Sequence, residues 1–341
     1  MKQSLLFILI IFISCQKETI NPPVKNGTKT GTIIKNLFPK RDTLQILTDS
    51  REVILTQTEE WENRLLGYFN VVKKGEEYKL WYMAWSFKSN SEFSTSFCFA
   101  SSSNGIDFIK PKPTNQLNEF GIPNGVLENY VFYDQYIDKY KLIGVDNDAE
   151  GKARTFMWTS DDGIKWYGKT KILDLHHDSQ FSVIVNESNY EIYMRVWSNS
   201  KRSIGYCKID KNYKLLEQPK VFINESGSPS YPHIYNSSVS SYSRGKIFFP
   251  TIYNSNIDEM SITYGFIDDR NSGQLLKKDI TEHLYEGEDI LWGIVSPNII
   301  PTGVKDEYWL YYYGSTRSHF KRLIEKGITK FYRIKIRIVS I

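Results

Sequence analysis

Thr159-Ser160-Asp161-Asp162-Gly163-Ile164-Lys165-Trp166 has a counterpart 58 residues earlier, Ser101-Ser102-Ser103-Asn104-Gly105-Ile106-Asp107-Phe108. Asn-Gly and Asp-Gly between strand-like runs supply the positive φ of a tight turn, and the Ile and aromatic that follow re-enter a sheet on its buried side. Outward from these turns one pattern recurs. Tyr-rich strands begin at Tyr78, Tyr140, Tyr190, Lys246 and Tyr308, which are 62, 50, 56 and 62 residues apart. A strand-like run precedes each: Gly67 to Val72, Tyr130 to Tyr133, Phe181 to Val185, Ser237 to Ser241 and Ile294 to Ile300. Third strands follow at Ser96 to Ala100, Thr155 to Thr159, Arg202 to Ile209, Ser261 to Ile267 and Thr329 to Ile336. Five such repeats without a helical period predict an all-β, five-bladed β-propeller of four-stranded blades. A β-sandwich is the runner-up, but it does not repeat in this way. Cys98 and Cys207 fall on third strands of blades one and three, beyond the roughly 7 Å that a disulfide spans.

The aromatic load agrees: 15% of the 341 residues are Phe, Trp or Tyr, types that favour strands. The apolar and charged fractions, 40% and 24%, exclude a disordered chain. A net charge of +4, with no dominant Lys/Arg run, excludes a nucleic-acid footprint and suits an anionic small molecule or polysaccharide. Met1-Lys2 opens the chain and an apolar run covers Leu5 to Ile13, too short to span a bilayer. It ends at Phe12-Ile13-Ser14-Cys15, which resembles a bacterial lipobox with Cys15 as the lipidated residue. Gln16-Lys17-Glu18 is similar to the signature after the Cys in surface-exposed lipoproteins. The expected organisation is a signal peptide over 1–14, a tether over 15–45 and a catalytic propeller over 46–341, lipid-anchored at the outer membrane and facing outward.

Further strings carry a family likeness: Gly67-Tyr68-Phe69 ahead of Tyr78-Lys79-Leu80-Trp81-Tyr82, Asp178-Ser179-Gln180, Tyr193-Met194-Arg195 and His233-Ile234-Tyr235-Asn236. With the two Gly turns, they resemble the five-bladed propeller glycoside hydrolases, the invertase and arabinanase group, over residues 60 to 338. That resemblance implies three carboxylates on the channel face. The Asn-Asp-Pro string usual in the first blade of that group is not found here.

In a propeller, residues just before each first strand gather at one channel mouth. Those positions hold Glu62, Asn63 and Arg64; Glu128 and Asn129; His176, His177, Asp178 and Gln180; His233, Tyr235 and Asn236; and Glu288, Asp289 and Trp292. Glycoside cleavage needs one carboxylic acid and one carboxylate. Glu62 and Asp178, with Glu128 or Glu288, are the candidates. His233 with Tyr235 is a candidate proton-transfer pair. Arg64, Arg195, Arg202, His177, Gln180, Trp292 and His319 complete the expected substrate-binding set, since guanidinium groups grip carboxylate or sulfate at two points. No cofactor and no metal is expected in the chemistry, and a structural channel cation such as calcium stays open.

Three functions follow. The first is a glycoside hydrolase degrading oligo- or polysaccharides. The second is a lyase or dehydratase acting on a terminal uronic acid of anionic, ulvan-type oligosaccharides. The third is a sugar-binding propeller without catalysis.

Overall fold

Strand follows strand around a closed ring in the computed structural model, which describes residues 42–89, 92–117, 127–175, 179–198, 201–223, 233–236, 238–267, 273–276 and 278–340. Cys15, His176, His177 and Asp178 lie outside the described residues, as does the Glu128 side chain. Blade I is Leu65–Lys74, Glu77–Ser89 and Glu92–Ser102; blade II is Leu127–Asp134, Lys139–Asn147, Ala153–Ser160 and Tyr167–Leu173. Blade III is Ser182–Val185, Asn189–Ser198, Lys201–Asp210 and Leu215–Ile223. Blade IV is Ser238–Tyr242, Gly245–Phe249, Tyr264–Ile267 and Gly273–Leu276. Blade V joins Trp292–Pro301, Glu307–Ser315 and Thr329–Ser340 to the N-terminal strand Asp42–Thr56. Its outer pair runs antiparallel from Asp42↔Ser340 to Thr56↔Lys330. The propeller sheet therefore begins at 42, inside the stretch 15–45 assigned to the tether.

The innermost strands approach one another in the cyclic order I, II, III, IV, V and back to I. Short polar side chains tie them where no ladder runs between blades. Asn70 exchanges hydrogen bonds with the backbone of Val131. Gln180 Nε2 donates to the carbonyls of Phe69 and Asn129 at 3.1 and 3.2 Å. Ser182 Oγ accepts from Val239 N, Ser240 Oγ donates to Pro297 O, and Asn298 Nδ2 donates to Val71 O. These groups satisfy inner-strand backbone atoms that burial would otherwise leave costly.

Aromatic layers fill the gaps between blades. Phe69 of blade I stacks on Phe331 of blade V at 4.2 Å, Trp81 meets Tyr140 of blade II at 5.7 Å, and Phe132 meets Tyr190 of blade III at 5.6 Å. The two Gly turns lock the same joints. Gly105 and Gly163 have φ of 73° and 77°. Asn104 Oδ1 accepts the amides of Ile106 and Asp107, and Asp162 Oδ1 those of Ile164 and Lys165. The blade II turn then docks on blade I, where Trp81 Nε1 donates to Gly163 O at 2.8 Å. A Cβ on Gly163 would stand 2.6 Å from the Trp81 ring, so only glycine fits.

Blade I departs from the four-stranded expectation, and blade IV keeps four strands but gains a side sheet. Among the described residues blade I has three laddered strands. In place of a fourth it carries isolated bridges Ser101↔Ile109 and Cys98↔Gln116, because Pro111 and Pro113 lie between them and cannot donate to a ladder. In blade IV, Pro250 interrupts the second strand, and Thr251–Asn254 pairs instead with Glu259–Ile262 and His233–Ile234. This side sheet sets His233 opposite Tyr253 and carries Tyr235 toward blade V. Cys98 and Cys207 are free and buried on the third strands of blades I and III.

Candidate active site

Glu62 and Tyr235, both placed at the mouth by sequence, end in different surroundings. Glu62 ends a short 3-10 turn, Glu60–Glu62, and is fully buried. Its Oε2 accepts from the amides of Thr58 and Glu59 at 2.9 and 3.2 Å and from Lys110 Nζ at 2.6 Å. Its Oε1 accepts the Tyr82 hydroxyl. Asn115 Nδ2 donates to that hydroxyl at 2.6 Å, while its Oδ1 accepts from Trp61 Nε1 at 3.0 Å. Burial, with Cys98 and Glu62 beside it, pushes the Tyr82 phenol up. Both Glu62 oxygens thus have donors within the fold: Oε2 from the turn amides and Lys110, Oε1 from Tyr82. Glu288 is likewise not at the mouth cluster: its Oε2 accepts from Lys330 Nζ at 2.8 Å, beside Tyr332 and Tyr312 of blade V. Gln180 is buried in the inner ring, where its Nε2 donates to two backbone carbonyls.

Tyr235 is the centre of the other group. The segment pairs with the blade IV side sheet, Tyr235 N donating to Thr251 O at 2.7 Å. Its hydroxyl lies 2.8 Å from His319 Nε2 and accepts from Arg322 Nη2 at 3.3 Å. Its carbonyl accepts from Arg195 Nη1 at 3.2 Å and Ser179 Oγ at 3.0 Å. The guanidinium groups of Arg195 and Arg202 lie over its ring, at 4.4 and 5.3 Å. Trp292 meets the ring edge-on at 4.8 Å and Tyr253 at 5.9 Å. Arg64, from the start of blade I, closes the group through Nε to the Arg322 carbonyl at 3.2 Å, its guanidinium over Phe87. His233 is half-buried at one side, where Nδ1 accepts from Arg202 N at 3.1 Å.

The structure therefore gathers Arg64, Arg195, Arg202, His233, Tyr235, Trp292 and His319. Residues not anticipated are Arg322, Tyr253 and Trp197, the last under the Arg202 guanidinium. Arg322 lies in the short 3-10 helix Lys321–Leu323, just after His319 and Phe320.

Burial, then the positive charges of Arg322, Arg202, Arg195 and His233, drive the His319 imidazole down to about 2, so it is neutral across the working range. Burial and Arg322 pull Arg64 down to about 10. His319 Nδ1 and Arg322 Nε have no hydrogen-bond partner among the described residues. The Tyr235 oxygen faces one permanent cation and one neutral imidazole. With Nε2–H donating, both neighbours stabilise a phenolate; with Nε2 bare, the neutral imidazole accepts a hydrogen bond from the phenol. Both states suit proton transfer. Among the described residues no group of three His, Cys, Asp or Glu is placed to hold a metal ion.

No protein-family model matches the chain, and no curated protein sequence matches it significantly. Solved structures do. The fold is similar to the catalytic domain of the Coprinopsis cinerea GH62 α-L-arabinofuranosidase, with TM-score 0.58, 10% identity, and 83% of this chain and 96% of that one covered. It is similar to a thermostable family-43 glycoside hydrolase, with TM-score 0.56, 12% identity and coverage of 81% and 93%. A structure from the GH130 family of mannoside phosphorylases gives TM-score 0.54, 11% identity and coverage of 89% and 96%. At these identities the likeness establishes the fold alone.

Proposed function

We propose that this protein is a carbohydrate-active enzyme that acts on acidic oligosaccharides by elimination at a uronic acid. The observation that carries the reading is the Tyr235 hydroxyl, set between His319 Nε2 and Arg322 under the guanidinium groups of Arg195 and Arg202. In this chemistry the C5–H bond breaks and Tyr235, as phenolate, takes the proton. The electron pair forms the C4=C5 double bond as the C4–O bond breaks, and Tyr235 returns the proton it took to the departing C4 oxygen, which leaves as water or as the hydroxyl of the next sugar while the phenolate is restored. Arginine beside the substrate carboxylate stabilises the charge that grows on it as C5 loses its proton. His319, neutral throughout, holds the Tyr235 oxygen in place through Nε2.

Glycoside hydrolysis is the second reading, favoured by the fold of the compared hydrolases. With Glu62 and Glu288 engaged elsewhere, it falls to Asp178 and Glu128. Incubation with neutral and uronate-terminated oligosaccharides, read by mass and ultraviolet absorbance, separates the two. Elimination gives an absorbing product and, at a free C4 hydroxyl, loss of water; hydrolysis gives gain of water and no new absorbance. Asp178→Asn abolishes turnover under hydrolysis. No absorbing product from any uronate overturns the elimination reading. We also propose that Cys15 carries a lipid at the outer membrane, so that Cys15→Ser releases the protein from the membrane fraction.

A further inference from the structure

Around Tyr235 the aromatic contacts extend outward in one series. Tyr235 meets His319 at 4.9 Å, His319 meets Tyr253 at 4.6 Å, and Phe320 meets both, at 5.6 and 6.3 Å. Tyr235, Tyr253 and His319 are buried, whereas Phe320 is 53% exposed. A lone exposed Phe needs no explanation, but this one is held in place. Asp258, at the left-handed end of a blade IV hairpin with φ 54°, reaches across to the blade V loop. Its Oδ1 accepts the Phe320 amide at 3.2 Å and the Tyr253 hydroxyl at 3.0 Å, and its Oδ2 accepts the Ser318 hydroxyl. Three donors on one carboxylate fix the backbone on which both His319 and Phe320 sit. The result is an apolar ring presented to solvent at fixed position beside the buried proton-transfer group.

We propose that Phe320 is the platform for the second sugar of the substrate: while the terminal unit occupies the Tyr235 site, the adjoining ring lays its C–H face on Phe320. Flat aromatic side chains pair an apolar face with low rotamer freedom, which suits a sugar ring. A platform already fixed by Asp258 loses little entropy on binding. The enzyme then selects chains of two or more sugars over single units. This inference rests on the sugar-site reading of Tyr235 but not on which bond breaks.

The test measures dissociation constants by calorimetry, with kcat and KM where turnover occurs, for mono-, di- and trisaccharides, neutral and uronate-terminated. The wild type, Phe320→Ala, Phe320→Leu and Phe320→Trp are compared, with melting temperatures confirming intact folding. The wild type should gain at least 10-fold in affinity from one sugar to two. Phe320→Ala and Phe320→Leu should lose about 10-fold on the disaccharide, through KM rather than kcat, and nothing on the monosaccharide; Phe320→Trp should restore it. An equal loss on both lengths, or no chain-length gain in the wild type, overturns the platform. If neutral chains are the ones bound and cleaved with the same Phe320 pattern, the platform stands and the elimination reading falls.

Discussion

Glu62 and Tyr235 each organise a buried polar group at the start of a blade, and the two groups differ in how they are completed. Around Glu62 the group closes on itself: both carboxylate oxygens have donors, and Lys110 is its counter-charge. Around Tyr235, cations collect on a phenol and a neutral imidazole, and two buried nitrogens, His319 Nδ1 and Arg322 Nε, stay without a partner among the described residues. Leaving a buried polar group unsatisfied costs about 1–3 kcal/mol. Folding alone accounts for the first group. The second keeps a standing cost that a polar ligand would relieve, as the proposed binding role requires.

The largest effect that can break this contrast is on turnover. Tyr235→Phe removes one oxygen and keeps the ring that Trp292 and Tyr253 pack on. Activity should fall about 10²- to 10⁴-fold with the melting temperature little changed. Retained turnover in a steady-state assay would move the chemistry away from Tyr235. The converse variant is Glu62→Gln, which strips the charge from the buried Lys110 pair. It should cost about 3 kcal/mol in denaturant unfolding, the scale of a broken buried ion pair, and leave turnover per folded molecule near wild type. An inactive but fully stable Glu62→Gln protein would return Glu62 to the catalytic list.

A smaller effect sharpens the comparison through pH. The folded His319 titrates near 2, far below the 6.5 of an exposed imidazole. Between those values the unfolded chain binds a proton that the folded chain refuses. Stability from this group is complete above pH 6.5 and is lost toward pH 2, at up to about 1.4 kcal/mol per pH unit. His319→Gln should flatten the acid side of the stability profile by that amount. Unfolding midpoints from pH 7 to 4 with parallel slopes in both proteins would mean that His319 is not held neutral by its surroundings.

Much of the architecture was readable because its determinants are local. Alternating aromatic strands and the Asn104-Gly105 and Asp162-Gly163 turns report five blades without long-range information. So do the mouth positions of Arg64, Tyr235 and Trp292, since a strand start fixes a residue's height on the ring. What a strand start does not fix is which way a side chain turns. Glu62 was drawn aside by Lys110, 48 residues later and on an irregular edge that its prolines keep out of a ladder. Arg322 escaped notice because its loop reads as ordinary polar surface between two strands. It becomes buried only when Asp258, from a different blade, pins that loop. The split of blade IV at Pro250 was legible in principle, as a missing ladder donor, but its consequence for Tyr235 depends on the neighbouring blade.

The pairing of Asp42–Thr56 with Thr329–Ser340 has a bearing on how the molecule is made. The paired residues stand 274 to 298 positions apart along the chain, with four blades between them. Until the two strands meet, the ring stays open, whichever blades have formed. His319 and Arg322 are carried by the segment that leads into the closing strand, so the cluster around Tyr235 is completed in the same step. A chain cut short by one strand lacks both a sealed ring and a fixed setting for those residues. Ring closure over so long a sequence separation is intrinsically slow and leaves sheet edges open meanwhile. The molecule is accordingly most vulnerable to misassembly until that seam closes.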